Sequence, residues 1–200
     1  HKGKEWTGDY AIIGERPGQQ EDRQGQPFVG DSGELLRRLL REAGIDPERQ
    51  VLWLNMVRCA TPGNVTPTAR EVRLCKDLLT AELLHYRPRR ILAVGAVAAR
   101  FLVGAKTKVK VGTCRHRAWL FSVGEVSLPG IVTWHPAYYL RGHQPTVLED
   151  LTRDIHKLAG EWVEQRISPA EKEGVEGLPV AFDLEWAADG AQCRALPAQY

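Results

Sequence analysis

Four short runs in this 200-residue chain carry residue types that can do chemistry. The first is Gly14-Glu15-Arg16-Pro17-Gly18-Gln19-Gln20-Glu21-Asp22. A carboxylate on a tight loop beside exposed backbone N–H groups can orient a water or stabilise a developing cation. The glycines let a ligand approach the backbone. The run reads equally as a surface turn whose acids cap the next helix. The second is Gly25-Gln26-Pro27-Phe28-Val29-Gly30, whose aromatic ring could stack on a planar base or simply belong to a core. The third is Leu54-Asn55-Met56-Val57-Arg58-Cys59. An Asn in an apolar strand is costly unless paired. Its amide sets a donor beside an acceptor, which matches the edge of a pyrimidine, although neighbouring backbone could satisfy it instead. The fourth is His135-Pro136-Ala137-Tyr138-Tyr139-Leu140-Arg141. Its His can be structural, or can donate to an oxygen that gains negative charge, while Pro136 stiffens the loop and Arg141 is suited to a phosphate.

These runs need a scaffold, and the hydrophobic pattern supplies one. Apolar residues predict strands over 10–13, 51–57, 90–94 and 130–133. Helical periodicity predicts helices over 34–43, 68–84, 95–102 and 148–162. Strands alternating with helices imply a three-layer α/β/α architecture around a central, mainly parallel, four-stranded sheet. The polar runs then fall at the C-terminal ends of strands, where such folds place their chemistry.

Composition narrows the classes. With 27 Lys+Arg against 25 Asp+Glu the net charge is +2, so any nucleic-acid face must be local. No apolar run reaches the roughly 20 residues that span a bilayer, and no signal-peptide pattern opens the chain. The four cysteines, Cys59, Cys75, Cys114 and Cys193, are widely spaced. That spacing reads as reduced thiols in a cytoplasmic protein, with metal or cluster ligation open to some of them, and the chain is separately expected to be a monomer.

Taken in order, Gly-Glu-x-Pro-Gly-x-x-Glu-Asp, Gly-x-Pro-Phe-Val-Gly, Asn-x-Val-x-Cys and His-Pro-x-x-x-x-Arg resemble the motifs of family 4 uracil-DNA glycosylases, over residues 10 to 160. Each motif alone is weak, and four in order at compatible spacing are specific. The resemblance implies an enzyme that flips uracil out of DNA and hydrolyses its N-glycosidic bond. It casts Asn55 as reader of the uracil edge and Phe28 as the stacking ring, with Gly14 and Arg16 beside them. It casts His135 as stabiliser of the departing uracil anion, Glu15 as the group handling the water or the sugar cation, and Glu21 as support for the Glu15 loop. Pro136, Tyr138, Tyr139 and Arg141 would meet the DNA, with a tyrosine wedged into the gap left by the base.

The resemblance further implies a [4Fe–4S] cluster, with Cys59 and Cys75 as its last two ligands. The first two would lie as a close Cys pair upstream of Gly14, where this sequence has none, so we expect a chain cut short at its N-terminus. True loss of the cluster is the alternative. Arg16 stands where the family usually has a small residue, and would either lower activity or add a phosphate contact. The short, His-free stretch 60–68 argues against covalent trapping of DNA, which a relative performs with a His on a longer loop there.

The organisation expected is a glycosylase-like domain over 1–162, a charged Pro/Gly-containing linker over 163–178, and the first strand of an incomplete further domain over 179–200. In the last, Val180-Ala181-Phe182-Asp183-Leu184-Glu185 is similar to the first motif of the 3′–5′ exonuclease domain of family A DNA polymerases, where Asp and Glu bind two metal ions. The competing reading is a catalytically weak uracil- or DNA-binding module fused to a polymerase or exonuclease.

Overall fold

The computed structural model describes residues 7–104, 109–123, 126–142 and 144–160. The expected linker and exonuclease-like segment lie outside these residues. In chain order the elements are β1 (Tyr10–Gly14), α1 (Gln19–Gln24), α2 (Asp31–Glu42), β2 (Val51–Asn55) and α3 (Ala69–Tyr86). There follow β3 (Arg90–Val94), α4 (Gly95–Val103), α5 (Val111–Cys114), β4 (Ala118–Val123), β5 (Val126–Thr133), α6 (Pro136–Gly142) and α7 (Pro145–Ala159). The sheet runs β2-β1-β3-β5-β4, parallel except for the β4–β5 pair.

Successive side chains of a strand point to opposite faces, and both faces of β1 are covered. Tyr10 and Ile12 join Leu35, Leu36, Leu39 and Leu40 of α2 and Leu151, Ile155 and Leu158 of α7 in one core. Ala11 and Ile13 join Leu79 and Leu83 of α3 and Ala98, Ala99 and Leu102 of α4 in the other. That is the expected three-layer arrangement. Because α2 follows β1 on one face and α4 follows β3 on the other, the chain reverses its winding between these neighbouring strands. A crevice opens at such a switch point, outside the carboxyl ends of the strands.

Among the described residues the sheet has five strands rather than the expected four. The additional one, β4, pairs antiparallel with β5, which begins at Val126 rather than at Gly130. Pro129 argues from sequence for a strand start after it, since Pro cannot donate to a ladder. In the sheet it sits opposite Leu120, just before the parallel ladder to β3 opens at Ile91↔Gly130. The stretch from Pro136 to Arg141, expected as a stiff loop, lies in helix α6. Pro suits a first helical position, where its fixed φ is right and its missing N–H would have had no partner.

Candidate active site

Four strand ends converge on the crevice. Gly14 closes β1 directly beside Asn55, the last residue of β2. The pairing continues past the strands, with Met56 N–H donating to Gly14 O at 2.9 Å and Val57 N–H to Glu15 O at 3.0 Å. Asn55 is 5% exposed, so its amide needs a partner. A Cβ on Gly14 would lie 2.5 Å from Phe28 Cζ and 2.6 Å from Asn55 Oδ1. A side chain at this position would have to displace the ring or the amide, so glycine suits the point where the ring, the amide and the backbone meet.

Phe28 is buried with φ at 56°, a left-handed conformation unusual for a side chain of its size. Neighbours hold it there. Its ring packs on Trp53 at 5.0 Å between centroids, and Arg37 lies over the same Trp53 at 4.4 Å while donating to Phe28 O. Gly33 gives way to that backbone, since a Cβ there would sit 1.8 Å from Phe28 O. Glu21 ties the first two motifs together, its carboxylate accepting Gly18 N–H at 3.1 Å and Gly30 N–H at 2.7 Å.

His135 follows β5 and stands against Gly95, the first residue after β3, where a Cβ would come within 3.1 Å of His135 Cβ. Burial, reinforced by the cation of Arg141 and opposed by Glu21, lowers its pKa to about 4. The imidazole is neutral at physiological pH. Ala137 N–H donates to Nδ1 at 3.2 Å, so the ring proton belongs on Nε2, leaving one N–H donor for a ligand. Burial also raises the pKa of Glu15, against the opposing pull of Arg16 and a hydrogen bond from Thr66.

Other expected site residues are placed differently. The side chain of Arg16 is 2% exposed and pairs with Glu71 at 2.8 Å, so it is not free for a phosphate. Pro136 is buried and begins α6, and Tyr139 packs against the core. Of the two tyrosines Tyr138 is the exposed one, at 46%, stacked on Trp134 at 5.5 Å. Arg141 is exposed. Cys75 is a buried free thiol on α3, and Cys59 lies in the segment after β2. Among the described residues no group of three or more His, Cys, Asp or Glu side chains could hold a metal. Two cysteines do not make a four-thiolate site, so a [4Fe–4S] cluster does not fit the described residues.

The motifs did not reveal the frame behind His135. Thr133 donates to Asp154 Oδ2 at 2.9 Å, and Trp134 Nε1 donates to Asp150 Oδ2 at 3.0 Å. Arg115 binds both acids, reaching Asp154 through Nε at 2.9 Å and Asp150 Oδ1 through Nη2 at 3.0 Å. The two residues before His135 are thereby fastened to α7. Asp150 and Asp154 at helical spacing are the signal that sequence offers, and nothing in it names Arg115 or Thr133 as their partners.

The model of the uracil DNA glycosylase superfamily matches residues 2–158. The chain belongs to that superfamily. It is 39% identical over 146 residues to a type-4 uracil-DNA glycosylase of Thermotoga maritima, covering 73% of each chain. A type-4 uracil-DNA glycosylase of Pyrobaculum aerophilum is 31% identical over 162 residues, 80% of this chain and 81% of that one. A DNA polymerase of Bacillus phage SP01 is 31% identical over 149 residues, 74% of this chain but 15% of the polymerase. A glycosylase-superfamily domain of this kind thus matches part of a much longer polymerase chain.

Proposed function

We propose that this chain removes uracil from DNA by hydrolysing the N-glycosidic bond, leaving an abasic site. The observation that carries this is the meeting of Gly14, Phe28 and Asn55 in one contact, with a neutral His135 at a nearby strand end. A flipped uracil would lie against Phe28, its edge read by the Asn55 amide. As the C1′–N1 bond breaks, its electron pair leaves with the uracil, and His135 Nε2–H would donate to the uracil oxygen that gains charge. The sugar becomes cation-like and is attacked at C1′ by water. Glu15, with its pKa raised by burial and held back by Arg16 and Thr66, would orient that water and take its proton. Glu21 would act through the loops it ties rather than on substrate. Tyr138 is the exposed ring suited to fill the gap in the duplex, and Arg141 to meet a phosphate.

The resemblance extends to a [4Fe–4S] cluster on Cys59 and Cys75, which would require two further thiolates that the described residues do not provide. Iron and labile sulfide measured on the purified chain test it. The match to a phage DNA polymerase favours a second reading, in which the domain serves a fused polymerase. Both are tested by incubating the protein with an oligonucleotide carrying one uracil, then cleaving with alkali. Cleavage at the uracil, lost in Glu15→Gln and His135→Ala, supports excision. DNA binding without cleavage supports the module.

A further inference from the structure

Beyond its charge beside Glu15, Arg16 has no part in the excision chemistry just described, yet it is among the most completely enclosed cations of the described residues. Its guanidinium donates to Glu71 Oε1 at 2.8 Å, to Thr61 Oγ1 at 2.9 Å and to Cys59 O at 3.4 Å. All three partners lie on the segment that runs from the end of β2 into α3, whereas Arg16 follows β1. Glu71 is in turn fixed by a capping box, accepting Thr68 N–H at 2.7 Å while Thr68 Oγ1 accepts Glu71 N–H at 3.2 Å. The stretch between these anchors is exposed from Pro62 to Thr66 and takes left-handed turns at Gly63 and Asn64. Such a stretch is mobile unless tied down. Thr66 lies in it, close enough to the Glu15 carboxylate to help hold its pKa down.

We propose that Arg16 is a positioning residue for excision: by fastening the 59–71 segment to the Glu15 loop, it keeps Thr66 on the Glu15 carboxylate and holds that carboxylate in its working orientation. The proposal rests on the reading of Glu15 as the group that handles the water. The geometry favours this role over a phosphate contact, because a guanidinium with 2% of its side chain exposed and three protein acceptors has no face left for DNA. Charge favours it as well, since the buried cation stands next in sequence to a half-buried carboxylate that must stay ionised to accept a proton.

The test is steady-state excision on a uracil-containing duplex, with kcat and KM separated and a thermal melt recorded for each variant. Arg16→Gln should lower kcat about tenfold to a hundredfold, the scale expected of a misplaced catalytic group, with KM little changed. Glu71→Gln, which keeps an acceptor for the cap, should lower kcat in the same way, and the double variant should be little worse than either single one. Thr61→Val should give a smaller fall. Should Arg16→Gln not fold, the Glu71 and Thr61 variants carry the test. Wild-type kcat in the folded variants overturns the proposal. A raised KM at unchanged kcat also overturns it, and makes Arg16 a DNA contact. Glu15→Gln runs alongside: if it keeps the wild-type rate, the reading of Glu15 fails and the clamp with it, whereas loss of rate in Glu15→Gln beside wild-type kcat in Arg16→Gln defeats the clamp alone.

Discussion

Around Glu15 the fixings run from loop to loop. Glu21 holds Gly18 and Gly30, Arg16 holds Thr61 and Glu71, and the partners are backbone amides or half-exposed side chains. Around His135 they run through the interior, where Arg115 at 3% side-chain exposure and Asp154 at 0% join β5 to α7. Arg16 pins the first wall from within, but its other anchors lie at loops and helix starts, so we expect it to be the more adjustable of the two and the second to be the more rigid. On the proposed reading of Glu15, a group that must meet water and a moving sugar benefits from loops that settle on the substrate. A group that must offer one donor at one place benefits from a frame that does not yield.

The strongest way to break this contrast is to unpair the rigid wall. Arg115→Met leaves Asp154 buried without its guanidinium, and should cost about 3–5 kcal/mol of stability in a urea melt. A loss near zero would mean that the His135 wall is as adjustable as the other. Next comes His135→Ala, expected to lower kcat about a hundredfold to a thousandfold, the usual loss for one preorganised donor. Gly14→Ala tests the point where the Glu15 wall meets the base pocket. Its methyl would collide with Phe28 and Asn55, and should weaken binding of a uracil-containing oligonucleotide more than it lowers the melting temperature. The smallest effect belongs to the adjustable wall: Thr68→Ala removes the cap of α3 and should cost about 1 kcal/mol.

The contrast extends to pH. The folded chain holds His135 neutral down to about pH 4, while an ordinary histidine protonates near 6.5. As pH falls through that window the unfolded chain takes up the proton first, so the fold loses stability there and the loss levels off below about 4. A His135→Asn variant should flatten that part of a stability–pH curve. Glu71, held at about 2 by the Thr68 cap and Arg16, loses its contribution only in stronger acid, as pH falls from the ordinary carboxylate range through about 2.

What the sequence made legible follows the same division. β3 was read at its true bounds, and the helix expected over 68–84 spans Ala69–Tyr86 with Thr68 as its cap, because periodicity is a local signal. The convergence of Gly14, Phe28 and Asn55 was legible through motif order. The Arg115–Asp154 frame was not, since its partners stand 39 residues apart and a buried pair leaves no local pattern. Arg16 was visible as a departure from the family, but its direction depended on Glu71, 55 residues away. Pro129 concealed the start of β5, and with it the antiparallel hairpin that widens the sheet.

The strand order has a consequence for synthesis. β1 is made early, but its register neighbours arrive only when Val51 and then Arg90 have been translated, and β3 gains its own second neighbour only with Gly130. A nascent chain that has emerged as far as α3 therefore exposes one backbone edge of β1, a strand buried along its whole length in the fold, the kind of surface that sticks to other chains. His135 is translated after all of these, so the residues of the candidate site can meet only once β5 has been made.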